Sequence, residues 1–261
     1  EKYLENNNPM KRKISLIISF IFIGIIAFAQ SNSEKADALI EAFLEKTKVP
    51  GLSVSISQNG ELVYSKGFGY SDLENKIPVD PAKTKFRIGS VSKTVTAAGL
   101  AKLYEEGKID LDAPIQKYVP IWPDKGGKIT LRLLGGHLAG IRHYKGLEFM
   151  SNKKYEDVID GLGIFIDDPL INKPGTEYRY SSYGWNLISV AMENAAAPEA
   201  SFLSDVSFLS YMQSEVFEAL NMDNTEADHA DRAIENRTKF YQINGQGEFF
   251  EAPYVDNSYK W

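Results

Sequence analysis

Leu52, Val54 and Ile56 alternate with Ser53, Ser55 and Ser57. Period two predicts a strand with one buried and one polar face. Asn59-Gly60 follows, a pair suited to the positive φ angles of a tight hairpin turn, and the return strand is expected from about Glu61 to Tyr70. Upstream, Ala36, Leu39, Ile40, Phe43 and Leu44 recur at helical spacing, with Ser33 as a cap and Pro50-Gly51 as the stop. A second helix is predicted around Val91, Val95, Ala98, Ala101 and Leu103, ended by Gly107 as a left-handed cap. Small residues on several of its sides imply close neighbours, hence a central helix. From Ile129 to about Leu220 no strand alternation is evident, and the pattern fits short helices joined by Gly and Pro turns. Strand character returns in two aromatic-rich runs around Asn244-Gly245. This order predicts an α+β fold: an antiparallel sheet with strands from both ends of the chain, flanked by helices, with an inserted all-helical domain.

The ends refine the division. From Met10 the chain reads MKRKISLIISFIFIGIIAFAQ, with a basic start, an apolar run from Ile14 to Phe28 and a small-x-small site at Ala27-Phe28-Ala29. Residues 10–29 are therefore expected to be a secretory signal peptide, which implies an exported protein, periplasmic or extracellular. The competing reading is an uncleaved anchor, but the run falls short of the roughly 20 apolar residues that a spanning helix needs. Residues 1–9 are read as upstream, non-structural sequence. The expected domains are 30–128, the first part of the α/β domain with the second helix; 129–232, the helical domain; and 233–261, the start of a return to the sheet. The abrupt finish at Trp261 is read as a truncation, with the C-terminal strands missing. Residues 30–261 alone are expected to be poorly soluble and inactive, because an unpaired edge and an apolar face would be exposed.

Composition narrows the function classes. With 261 residues, 43% of them hydrophobic, the chain can build one or two domains with a real core. A net charge of −6 and the absence of a basic stripe argue against a nucleic-acid partner. There is no cysteine, which excludes disulfides, a thiolate nucleophile and a zinc–thiolate site. No His-Glu-x-x-His motif occurs, and Asp110-x-Asp112 is more simply a turn.

The candidate chemistry sits at Ser90-Val-Ser-Lys93. Serine and lysine at i and i+3 project from one helix face. Free N–H groups and the helix dipole at the first turn favour a developing oxyanion. A lysine held out of water has a lowered pKa and can act as a base on the hydroxyl. The same spacing occurs at Ser151-Asn-Lys-Lys154, but in a polar stretch that reads as a solvated loop. A Ser-His-Asp triad is the competitor, since His137 and His143 are available. The nearest approach to a Gly-x-Ser-x-Gly elbow, Tyr180-Ser181-Ser182-Tyr183-Gly184, lacks the first glycine. His137, between Gly136 and Leu138, is expected to be a hydrogen-bonded structural residue, and His143 beside Tyr144 could line a cleft.

Three ordered segments carry a family resemblance: FRIGSVSKTVTAAGLAKLYEEG, ITLRLLGGHLAGIRHY and KPGTEYRYSSYGWNLIS. Together they resemble the serine beta-lactamase and penicillin-binding-protein superfamily, in its class C-like branch, closest to the mitochondrial members and their bacterial relatives. The resemblance covers about residues 35 to 261. It implies the beta-lactamase/transpeptidase-like fold, Ser90 as the acylated nucleophile, Lys93 as its proton acceptor and Tyr180 as a phenol or phenolate that relays the proton. Tyr180 can do so only if nearby cations lower its pKa. The Ser90 N–H would supply half of an oxyanion hole. Two departures stand out. The second motif's asparagine is replaced by Ser182, a shorter candidate substrate contact, and the third motif (Lys-Thr-Gly or His-x-Gly) does not occur in this sequence. Tyr254, Tyr259 and Trp261 resemble a segment near the family's active-site rim, with sheet packing as the alternative. The implied function is an exported serine hydrolase acting on a peptide, ester or beta-lactam-like substrate without a cofactor, with no membrane contact beyond the signal peptide. Self-association into a homo-oligomer is compatible with it. The alternative is a non-catalytic or filament-forming binding protein on the same fold.

Overall fold

A computed structural model describes residues 32–197 and 206–260. The expected signal peptide, 10–29, lies outside them, as do residues 1–9 and Trp261. No helix among the described residues is long and apolar enough to cross a membrane. The chain divides into two compact units between Thr84 and Lys85.

In the first unit, helix α1 covers 32–47, so Ser33 lies within it. Strands β1 (Gly51–Gln58) and β2 (Glu61–Asp72) form the expected antiparallel hairpin, and a short β3 (Ile77–Pro78) adds to β2. Asn59 and Gly60 take φ angles of 53° and 83°, the left-handed pair that matches a two-residue turn to the twist of its strands. Asp37 on α1 accepts hydrogen bonds from the Tyr64 hydroxyl (2.6 Å) and the Lys66 ammonium (2.9 Å), which ties α1 to β2. The expectation of one buried face holds only in part, with Leu52 and Val54 half-buried. Ile56, Leu62 and Val63 are exposed, and burial concentrates at Phe68 and Val79. The register explains part of this. Ile56 pairs with Tyr64 and Ser57 with Leu62, so Val63 is bulged out of the ladder and the turn end of the hairpin bends away from regular alternation.

The second unit holds the main core. Helix α2 (Ser92–Glu105) follows a single 3-10 turn, Gly89–Val91, and ends at Gly107 with φ 71°. Helix α3 (Leu131–Gly135) is capped by the Thr130 hydroxyl, which accepts the Leu133 N–H. Helix α4 (Ser182–Ala196) is capped by Ser181, which accepts the Gly184 N–H at 3.0 Å. Helix α5 (Phe208–Met212) continues directly into a π-helical turn, Gln213–Glu218.

Helix α4 is the axis of this unit. Tyr183, Leu187, Ile188, Val190, Ala191 and Met192 are all buried, so it is apolar on most sides, as a central helix must be. Each of the larger side chains, Leu187, Ile188, Val190 and Met192, contributes about 1.5–3 kcal/mol on burial. Helix α2 is less central than its composition predicts. Gly99, Leu100 and Leu103 are buried, whereas Val91, Ala98 and Ala101 are exposed. Its small residues serve one face only: at Gly99 a Cβ would sit 2.8 Å from Met212 Sδ and 3.0 Å from Met192 Cε, so glycine lets α2 settle against side chains of α4 and α5. The late aromatic runs form β4 (Tyr241–Ile243) and β5 (Phe249–Glu251). Among the described residues these pair with each other. Their five-residue connection, built on Asn244 side-chain bonds to the Gln246 and Glu248 amides, closes them as a local hairpin.

Candidate active site

Gly89 enters the 3-10 turn with φ 52°, a left-handed angle that glycine adopts at no steric cost. The chain thereby turns sharply ahead of Ser90. Ser90 thus stands in the 3-10 turn and not in the α-helix itself, and side chains at i and i+3 eclipse in such a turn. Lys93, partly buried, directs its ammonium to the Ser90 hydroxyl at 3.3 Å. From the far side of the sequence, Tyr180 brings its hydroxyl to 2.6 Å from Ser90 Oγ. Lys93 Nζ also donates to Ser182 Oγ at 3.3 Å and lies 4.9 Å from the centre of the Tyr180 ring. All four residues singled out in the sequence therefore meet around one ammonium group.

The second Ser-x-x-Lys copy is different. Lys154 pairs with Glu156 and Asp231, and Ser151 Oγ accepts the Lys153 amide. That serine has its own local turn to serve, and its lysine is neutralised by carboxylates.

Burial opposes ionisation of Tyr180, but hydrogen bonds from Lys93 and Ser90, the Lys93 charge and Ser182 outweigh it and hold the phenol below its ordinary pKa. The phenol is 37% exposed, so an incoming group can reach it. Serine, phenol and ammonium within hydrogen-bonding distance can share and pass a proton, the basic requirement for activating a hydroxyl.

The surroundings explain why Tyr180 lies there. Ser181 caps α4 and donates its hydroxyl to the Arg142 carbonyl at 2.7 Å. Arg142 is buried and fans its guanidinium onto Glu148, Asp168 and the carbonyls of His143 and Ile164. Glu148 further accepts the Tyr183 hydroxyl and the Lys145 amide. The segment 140–148 is thus bolted to the start of α4. His137 and His143 belong to this framework too, with Nδ1 atoms that accept the Ser181 and Ser182 amides at 3.2 Å each. The sequence suggested a hydrogen-bonded structural role for His137 and a cleft position for His143, but not their partners, which lie about 40 positions downstream. Tyr259 is buried and bonds the Glu148 carbonyl, whereas Tyr254 is exposed. Of the aromatics with two readings, Tyr259 therefore belongs to the packed interior.

A serine, a lysine and a tyrosine gathered before the central helix of an α+β fold make a candidate nucleophilic site. Comparison with known proteins gives its family. The beta-lactamase family model matches residues 36–260. The human mitochondrial serine beta-lactamase-like protein LACTB is 33% identical, over 90% of this chain and 53% of its own length. The octameric penicillin-binding protein homologue from Pyrococcus abyssi superposes with a TM-score of 0.72 at 27% identity, covering 84% of this chain and 50% of that one. EstCE1, described as a hydrolase with promiscuous acyltransferase activity, shares the fold with a TM-score of 0.73 at 22% identity, over 86% of this chain and 60% of its own. The chain belongs to the beta-lactamase family. It spans about half the length of the curated relatives it matches.

Proposed function

We propose that this protein is a serine hydrolase that forms an acyl-enzyme on Ser90. The observation that carries the reading is the convergence of Tyr180 and Lys93 on the Ser90 hydroxyl, at 2.6 and 3.3 Å. The shorter contact makes Tyr180 the immediate proton acceptor and Lys93 the cation that keeps the phenolate accessible. The sequence pattern alone had given the acceptor role to Lys93. Ser90 Oγ attacks the carbonyl carbon of an amide or ester while its proton moves to Tyr180. Collapse of the tetrahedral species breaks the bond to the leaving group, which takes that proton. Water then attacks the acyl carbon by the same route in reverse and releases the acid. The Ser90 N–H supplies one oxyanion donor, worth roughly 10²–10³ in rate for such groups.

Ser182 is proposed as a substrate contact. Its hydroxyl accepts from Lys93 and can turn towards a bound amide, with less reach than an asparagine. The favoured substrates are peptides or esters, with beta-lactam-like compounds as probes. Export by way of residues 10–29 and self-association are part of the same proposal; the octameric state of the Pyrococcus abyssi homologue supports the latter. A fluorophosphonate probe applied to the full-length protein tests the site. Label is expected on wild type and Ser151→Ala and lost in Ser90→Ala; equal labelling of the two mutants removes the assignment.

A further inference from the structure

Tyr180 is held by more than its neighbours in the chain. The His137 carbonyl accepts the Arg179 N–H at 2.8 Å, and His137 Nδ1 accepts the Ser181 N–H at 3.2 Å. One residue therefore grips the backbone on both sides of Tyr180. His143 Nδ1 takes the next amide, Ser182, at 3.2 Å. The two rings also face the phenol: His137 lies 4.4 Å from it, centre to centre and tilted by 37°, and His143 lies 5.3 Å away, edge-on at 84°. An Nδ1 that accepts an amide hydrogen must be unprotonated, so each imidazole carries its proton on Nε2.

We infer that His137 and His143 are positioning residues: as neutral imidazoles they clamp the amides of residues 181 and 182 and so hold the Tyr180 hydroxyl on Ser90. This rests on the acyl-transfer reading above. Protonating either Nδ1 would set a donor against a donor and release the clamp. The groups facing the two rings are Lys93 from α2, Tyr178 and Tyr180 from the segment before α4, Tyr144 beside His143, and each histidine the other. Burial first, then the Lys93 charge, lowers both histidines below their ordinary pKa, which keeps the accepting form in place at neutral pH.

The substitutions separate acceptor from bulk. In asparagine Oδ1 is bonded to Cγ, as Nδ1 is in histidine, so His143→Asn keeps an acceptor near the same place, whereas His143→Leu has none. At His137 the backbone φ is 58°, which asparagine tolerates and glycine prefers. His137→Asn and His137→Gly are thus both allowed by the backbone, and only the first retains an acceptor. The assay is the rate of fluorophosphonate labelling at Ser90 in the full-length protein from pH 5 to 9, resolved into probe affinity and maximal rate. It is paired with NMR titration of 13Cζ-tyrosine, the Tyr180 signal being assigned by its loss in Tyr180→Phe.

His143→Leu and His137→Gly should lower the maximal rate about tenfold or more, the equivalent of one lost hydrogen bond, with probe affinity little changed. The asparagine variants should recover to within about threefold of wild type. The phenol should titrate higher in the Leu and Gly variants than in the Asn ones. If acceptor-bearing and acceptor-free variants match in both rate and phenol titration, the clamp is refuted. A wild type that never labels at Ser90 removes the hydrolase reading instead, and the phenol titrations then decide the clamp alone.

Discussion

Replacing Arg142 by methionine would remove the bolt beneath the candidate site while roughly preserving side-chain volume. The Arg142 side chain is 7% exposed, and it donates to Glu148 through two nitrogens at 2.7 and 3.0 Å, to Asp168, and to the carbonyls of His143 and Ile164 at 3.0 Å each. Both carboxylates are about three-quarters buried and would lose their principal cation. Breaking one partner out of a buried ion pair typically costs about 3–5 kcal/mol. For a unit of this size each kcal/mol shifts Tm by about 2–4 °C, so a fall of roughly 6–20 °C is expected. The effect has a pH signature. Burial works against ionisation of Glu148, but Arg142, the Lys145 amide and Tyr183 outweigh it and lower its pKa. Asp168 is lowered by the Arg142 hydrogen bond, against burial and with help from Lys145. Carboxylates lowered on folding contribute stability above their unfolded range, about pH 4, and lose it as pH falls through the folded values. The gap between wild type and Arg142→Met should therefore be widest near pH 7 and narrow towards pH 3. Melting followed by near-UV circular dichroism across that range measures it. A gap under about 2 °C at pH 7, or one that does not change with pH, would refute the reasoning.

Three further outcomes are expected. Gly140→Ala would place a Cβ 2.2 Å from the Asn172 carbonyl at a φ of 76°, and should destabilise by more than ~2 kcal/mol in chemical denaturation. Leu187→Ala, fully buried on α4, should cost about 2–5 kcal/mol by the same measurement with little change in the denaturant slope. Tyr180→Phe should slow acylation of Ser90 by roughly 10²–10⁴ while leaving Tm within a few degrees, since the lost hydroxyl is partly exposed; labelling kinetics and a melt decide both parts.

The local code was easiest to read. Asn59-Gly60 and its flanking alternation specify a hairpin without reference to anything distant, and the Ser90–Lys93 spacing specifies a shared face across one turn. What escaped were quantities set by long-range neighbours. Alternation of Leu52, Val54 and Ile56 reveals which face is apolar but not whether anything covers it, and a one-residue bulge at Val63 is silent in the pattern. The small residues of α2 signalled close packing, which Gly99 realises against two methionines, yet could not say that only one side is packed. At the site, Tyr180 and Ser182 were legible only through motif order. A hydrogen-bonded role for His137 was legible but the partners of the two imidazoles were not, because a hydrogen bond from a backbone amide leaves no mark on the residue that donates it.

Ser181 links two scales of the molecule. It follows Tyr180 directly, and it is also the cap of α4, the most deeply packed helix. Any loosening of that helix's first turn would swing the phenol off the serine hydroxyl before much secondary structure was lost. Reactivity is thus geared to the most local part of that helix, so on warming this protein is expected to fall idle a little before its interior gives way.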